Sequence, residues 1–374
     1  MRRLFAVHIH CVLAGGGGAA KGGAMRRAWL FPFLVLALVP GWSGDARLPL
    51  LGKEARVDAH YLPQLSADRA QNRIGALEYL GGVELKSPDP AFGGFSALHV
   101  RGDHFLLLSD GGGVVRFAMG GDWRIRNASF AELSEGPRTG WDKRDRDSEA
   151  LAVDPETGAH WVAFENANAI WRYDASLGRA TGAVRPVAMR RWPRNGGPEA
   201  TARLRDGRFL ILSESARRDA LEGSYHALIF DRDPVAPGAV ASRFYYRPPA
   251  GFNATAADEL PDGRVIVVNR RVIWPNGFEA AVTIVDPDDI RAGAVVTGRE
   301  IARLRGGLWS GFGRDNFEAV SVVREGEDTI VWLATDHNMQ WPQRSLLLKF
   351  RLERFPLILA HIHRNGSSWR TRGA

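Results

Sequence analysis

One short pattern recurs five times in this chain, and few architectures can absorb a repeat of that size. The copies are Phe95-Ser96-Ala97-Leu98, Ser148-Glu149-Ala150-Leu151, Pro198-Glu199-Ala200-Thr201, Phe252-Asn253-Ala254-Thr255 and Phe317-Glu318-Ala319-Val320. After a turn, each continues into an apolar run ending in a second, mostly polar pair: Ser109-Asp110, Phe164-Glu165, Ser213-Glu214, Asn269-Arg270 and Thr335-Asp336. A further apolar stretch follows each pair, as in Ile170-Trp171-Arg172-Tyr173 and Leu346-Leu347-Leu348-Lys349-Phe350. The interval between copies is about 50 to 65 residues, which suits propeller blades better than short solenoid units.

Runs rich in Val, Ile, Leu, Phe and Trp alternate with Gly- and Asp-containing turns at Gly102-Asp103, Asp154 to Gly158, Asp206-Gly207 and Asp262-Gly263. Few segments read as long amphipathic helices, so the fold class is all-β. We expect a β-propeller with five four-stranded blades. Residues 47–90 could supply a divergent sixth. Candidate outer strands are Trp123 to Ile125, Val184 to Met189, Arg243 to Tyr246 and Glu300 to Leu304. Ile74 to Leu85 reads as one more strand, placed to close the ring against the last blade. The implied organisation is residues 1–46 as upstream extension and targeting segment, 47–71 as lead-in, 72–352 as propeller and 353–374 as a basic tail without repeat pattern.

A hydrophobic share of 45% in 374 residues allows a large core. The formal charge of +7 belongs to the ends: residues 1–46 and 354–374 each carry a net +4, leaving the repeats near neutral. A nucleic-acid binder concentrates positive charge on its folded face, so that partner class is not expected. Met25-Arg26-Arg27, the apolar stretch Trp29 to Val39 and Gly44-Asp45-Ala46 have the order of a signal peptide, with Met25 as the natural start. The apolar stretch is too short for a bilayer, which needs about 20 residues. No stable membrane span is therefore expected. The sole cysteine, Cys11, precedes the expected mature chain, which excludes disulfides, thiol catalysis and cysteine-held zinc. A monomer exported to the periplasm or beyond is the reading that fits.

In a propeller the innermost strands begin near one mouth of the central channel. On the alignment above, Ser96, Glu149, Glu199, Asn253 and Glu318 form an inward ring. Asp110, Glu165, Glu214, Arg270 and Asp336 return to the same mouth through antiparallel pairing. Crowded carboxylates repel, and a hard divalent cation, Ca²⁺ most readily, would relieve them. The expected metal ligands are Glu149, Glu199, Asn253 and Glu318. Asp110, Asp336 and His337 are the candidate general bases, and Arg270 would hold an anionic substrate group. Alternatively, the acids bond to backbone N–H groups and only fix blade packing, and His337 is a plain loop histidine. Trp161, Trp171 and Trp332 fall on strands and are expected in the core rather than in sugar stacking. Gly94 to Leu98 lacks the final glycine of a nucleophile elbow, and the Gly15 to Lys21 stretch has Ala20 where a phosphate loop needs glycine.

Gly93-Gly94-Phe95-Ser96-Ala97-Leu98, Leu108-Ser109-Asp110, Asp147-Ser148-Glu149-Ala150-Leu151, Leu212-Ser213-Glu214 and Asn316-Phe317-Glu318-Ala319 together resemble the bacterial phytase-like family, whose members are named for an esterase-like activity of phytase. The resemblance covers about residues 72–352. It implies an exported propeller whose functional acids match Asp110, Glu149, Glu199, Glu214 and Glu318 here. The fourth repeat departs, with Asn253 and Asn269-Arg270 in place of acids. Three functions follow as expectations: a metal-dependent hydrolase of phosphoesters or small esters, a calcium-dependent lactonase, and a non-catalytic envelope propeller that binds a ligand or protein.

Overall fold

The computed structural model describes residues 48–64, 72–140, 142–217, 221–273, 277–305, 315–337 and 343–353. The segment expected to target the chain, Cys11, the Trp274-Pro275-Asn276 loop, Asn338 and the tail from Arg354 lie outside the described residues. Three strands precede the first repeat: β1 (Asp58–Leu62), β2 (Arg73–Ile74) and β3 (Leu77–Lys86). The first blade contains β4 (Phe95–Arg101), β5 (His104–Ser109), β6 (Gly113–Met119) and β7 (Ile125–Glu132). A short helix, α1 (Lys143–Arg146), leads into the second blade of β8 (Ser148–Val153), β9 (His160–Phe164), β10 (Ala169–Tyr173) and β11 (Ala180–Val184). The third contains β12 (Pro198–Arg203), β13 (Phe209–Ser213), β14 (Tyr225–Phe230) and β15 (Ala241–Arg247). The fourth contains β16 (Asn253–Glu259), β17 (Val265–Ile273) and β18 (Gly277–Val285), then β19 (Val295–Thr297), which leaves to pair with β15, and β20 (Arg299–Leu304). The fifth contains β21 (Asn316–Glu325), β22 (Asp328–Asp336) and β23 (Leu346–Leu352).

Each repeat is a meander, and the inner strands β4, β8, β12, β16 and β21 stand side by side in a closed ring. The fold is a five-bladed β-propeller. No sixth blade forms among the described residues, because β3 pairs antiparallel with β23 and β1 with β3, both joining the fifth blade. Ring closure by residues 74–85 is thus as expected. The outer strands expected at 243–246 and 300–304 fall within β15 and β20. Trp123 instead sits at φ 59 in the turn before β7, and Val187 to Met189 coil into a single 3-10 turn after β11.

The turns between first and second strands explain the recurring glycines. Gly102, Gly158, Gly207, Gly263 and Gly326 all adopt positive φ, between 59° and 90°, where a Cβ is disfavoured. Five hydrophobic clusters then fill the five gaps between neighbouring blades. Phe105 of the first blade meets Trp332 of the fifth edge-on at 4.9 Å, and Trp161 of the second meets Phe209 of the third at 4.8 Å. Because each blade buries both faces, its strands read as continuous apolar runs rather than alternating ones. Trp161 and Trp332 are core residues as expected, and Trp171 is half-buried against the cluster between the first and second blades.

Candidate metal centre at the channel mouth

All five inner strands carry a bulge at the same level. The pairing skips one residue between Phe95 and Ala97, Ser148 and Ala150, Pro198 and Ala200, Ala254 and Ala256, and Phe317 and Ala319. The skipped residues are Ser96, Glu149, Glu199, Thr255 and Glu318. A bulge re-aims its side chain, and here it sorts them by chemistry. Ser96 Oγ donates to Ser148 O of the next blade at 2.6 Å, and Thr255 Oγ1 donates to Phe317 O of its next blade at 3.0 Å. The three glutamates belong instead to the acidic mouth. Thr255 therefore occupies the place expected of Asn253, and the sequence alignment of the fourth repeat is two residues early. Asn253 pairs across to Arg270, as Asn316 pairs to Asp336, and its Oδ1 accepts the Tyr225 hydroxyl at 2.7 Å.

The second row closes on the first through backbone bonds: Asp110 N to Gly94 O at 2.8 Å, Glu165 N to Asp147 O at 2.9 Å and Glu214 N to Gly197 O at 3.0 Å. Two carboxylate triads result. Asp147, Glu149 and Glu165 bring one oxygen each within 4.8 Å of one another, and so do Glu165, Glu199 and Glu214. Glu165 belongs to both. Burial, then the neighbouring carboxylates, pushes Glu149 and Glu199 well above the usual glutamate range. Glu165 is also raised by burial, against the Glu199 carboxyl and the Gly196 and Gly197 N–H groups, which hydrogen-bond to it.

Two cations flank the triads. Lys143, delivered by α1, lies 3.0 Å from Asp110 and 3.1 Å from Asp147. Asp142 caps that helix, accepting from Arg144 N at 2.7 Å. Burial opposes the charge on Lys143, but Asp110, Glu149 and Asp147 more than offset it and raise its pKa. Asp110 is raised by burial against the pull of Lys143, with Asp336 adding to the rise. Arg270 pairs with Glu318, with Glu214 at 2.7 Å and with Asn316 Oδ1 at 2.8 Å. Burial still pushes Glu318 up to about 7. His337 Nδ1 lies 3.8 Å from Asp336. Its ring occupies the space a Cβ on Gly93 would take, and Asp110 crowds Gly94 in the same way. Both glycines adopt positive φ, so the Gly93-Gly94 pair is the opening that admits these two side chains.

Of the expected ligands, Glu149 and Glu199 join the triads, whereas Glu318 is committed to Arg270 and Asn253 to Tyr225. Arg270, expected to meet a substrate, spends its donors on protein acceptors. Sequence reasoning missed Asp147 and Lys143 as site residues. Asp147 is buried, adopts φ 28 and accepts from Asn166. A fourth repeat slid by two residues would have exposed it, since Asp147 then aligns with Asn253 and Asn316.

No curated protein matches the chain. Among solved structures, the major Malassezia sympodialis allergen Mala s 1 is similar at 12% identity and a TM-score of 0.40, over 73% of this chain and 88% of that one. Kuenenia stuttgartiensis hydrazine synthase is similar at 12% identity and a TM-score of 0.35, over 66% of this chain; the matched part spans 57% of that chain. Likeness this low carries nothing about chemistry. The family model described as "Phytase-like: Esterase-like activity of phytase" matches residues 90–339, a stretch holding every acid of the mouth, and the chain belongs to that family.

Proposed function

We propose that this protein is a metal-dependent hydrolase of phosphate esters or simple esters, working at the acidic mouth. The observation that supports this most is the pair of carboxylate triads sharing Glu165. The donor set fits a hard cation: every ligand atom is a carboxylate oxygen, with no thiolate or imidazole among them. Oxygen atoms within 4.8 Å of one another suit metal–oxygen distances of about 2.3–2.6 Å, those of Ca²⁺. The raised pKa values of Glu149, Glu165 and Glu199 point the same way, since these groups take up protons when no cation neutralises them. Asp147, Glu149 and Glu165, with Glu199 and Glu214, would hold the ion. Once bound, such a cation polarises the ester oxygen and makes water a stronger acid.

The chain's own residues supply the rest. Asp110 is the favoured general base, because its charge acts on Glu149 and burial raises its pKa, which makes it a stronger base than an ordinary aspartate. Lys143, about half exposed at the rim, would meet an anionic substrate group in place of Arg270, which serves as the fixed counter-charge of Glu214 and Glu318. Asp336 and His337 stand on the fifth-blade side, as a second base or as the acid that protonates the leaving oxygen. A calcium-dependent lactonase is the same machinery with a cyclic ester.

A second reading, a non-catalytic binding propeller, is favoured by the Glu165–Glu199 hydrogen bond and the Arg270 ion pairs, which satisfy acids within the protein. The full chain, assayed on phosphate monoesters, carboxylic esters and lactones, separates the two. Turnover that falls on chelation and returns with Ca²⁺ is expected. Absence of turnover on every substrate with Ca²⁺ present would leave the binding reading. The targeting segment supports export to the periplasm or the medium, tested by locating the mature N-terminus near Arg47.

A further inference from the structure

A second concave site lies on the same face, outside the acid mouth and beside the third blade. It encloses about 690 Å³ and is walled by Arg190, Arg191, Arg217 and Arg243 with Trp192 and Tyr245. A volume of that size accommodates a small organic ligand. Three separate segments deliver the guanidinium groups: the connection after β11, the loop after β13, and β15. Ser215, also in the wall, directly follows Glu214 of the mouth.

Four arginines share this one wall. Some arginines elsewhere have a carboxylate beside them, as in Arg126–Asp122, Arg208–Asp206, Arg232–Asp231 and Arg264–Asp262. Among the described residues no acid lines the groove, and Arg190, Arg191 and Arg243 form no ion pair. Like charges gathered without counter-ions repel one another and destabilise the fold. Arg217 is also held in place: its guanidinium lies 4.7 Å over the Tyr225 ring and donates to the hydroxyl, which in turn donates to Asn253 at 2.7 Å. Flat surfaces accompany the charge, with His226 and Tyr245 packed ring to ring at 5.3 Å and Trp192 buried beneath.

We propose that this groove is a binding site for a small organic oxyanion, a ring bearing carboxylate, sulfate or phosphate groups, separate from the metal centre. Guanidinium forks pair with two oxygens of such a group at once, and the aromatic wall takes the ring. The proposal does not rest on the hydrolase reading, because the groove contains none of the metal-centre acids.

The test is calorimetric titration of the full chain, with chelator present, using benzene-1,3,5-tricarboxylate and inorganic pyrophosphate as probes. Saturable binding of at least one is expected, weakened about tenfold or more in the Arg190→Ala/Arg243→Ala double variant and unchanged in Arg264→Ala and in Glu149→Gln. Both substituted arginines are exposed, and thermal melts of each variant check the fold. The ratio of the two affinities distinguishes carboxylate from phosphate preference. The proposal is overturned if neither probe binds, if Arg264→Ala weakens binding as much as the double variant, or if Glu149→Gln abolishes it. Binding of anionic phospholipid vesicles without binding of either probe would also overturn it, in favour of a membrane-facing patch.

Discussion

Glu318 is the clearest case of a side chain whose charge is set by a contest. Arg270 favours the carboxylate, burial disfavours it, and burial wins by enough to bring the pKa up to about 7. Glu149 and Glu199 shift in the same direction, with fellow acids reinforcing burial. The consequence for stability has a definite sign. An unfolded glutamate titrates near 4.3, so above that value the native state holds more protons than the unfolded one, and stability falls as pH rises through about 7. His99, lowered to about 4 by burial, acts oppositely, but its contribution is complete once pH exceeds the unfolded value near 6.5. The window from about pH 6.5 upward is therefore set by the raised carboxylates, Glu318 and Asp258 among them, both brought to about 7 by burial. Melts of the chelated protein should move down across that window, Glu149→Gln should flatten the fall, and Ca²⁺ should raise the melting temperature most at the alkaline end. A melting temperature that climbs with pH under chelation would show that these groups are ionised and content.

Between neighbouring blades, the bulged strands carry out a division of labour that the sequence showed only in part. Ser96 and Thr255 fasten the first blade to the second and the fourth to the fifth through one hydroxyl each. Asp258 adds a clasp from β16 to β21, accepting from Val322 N at 2.7 Å. Thr255→Val keeps the shape and removes only the donor, so a loss of about 1–2 kcal/mol is expected, the range for a buried carbonyl left unpaired. Ser96→Ala should cost a similar amount, and the two should add, since they act at different interfaces. Denaturant midpoints measure both, and neutrality at both sites would mean that the hydroxyls contribute nothing to blade cohesion. The strands, turns and repeat count were legible because apolar runs and positive-φ glycines are local. The register of the fourth repeat was not, since Phe252-Asn253-Ala254 imitates Phe95-Ser96-Ala97 and Phe317-Glu318-Ala319. Phe252 in fact lies just ahead of β16, where Arg271 and Arg303 pack over its ring at 4.6 and 5.0 Å. Asp147 was hidden by the same slip, because only the shifted register aligns it with Asn253 and Asn316.

The ring as a whole depends on a strand from the opposite end of the chain. β3 supplies the fourth strand of the fifth blade, pairing from Leu77 with Leu352 to Glu84 with Leu346. Its Leu77 and Val83 are fully buried, and so are Leu347, Leu348 and Phe350 on the strand it covers. Removing it would strip water-excluding contacts from several side chains, each worth about 1.5–3 kcal/mol when fully buried, and leave β23 as a bare apolar edge inviting association. Because the fifth blade also packs on the first through Trp332 and Phe105, the damage should spread to the whole ring. A chain beginning after Lys86 is therefore expected to aggregate or to unfold without a cooperative transition. A chain beginning at Arg47 should unfold as sharply as the full-length protein, since residues 47–374 form a compact unit of their own. Denaturant unfolding followed by tryptophan fluorescence compares the two. If the shorter chain kept a single sharp transition at a similar midpoint, closure by β3 would contribute little, and the remaining inter-blade clusters would suffice to hold an open five-bladed arc.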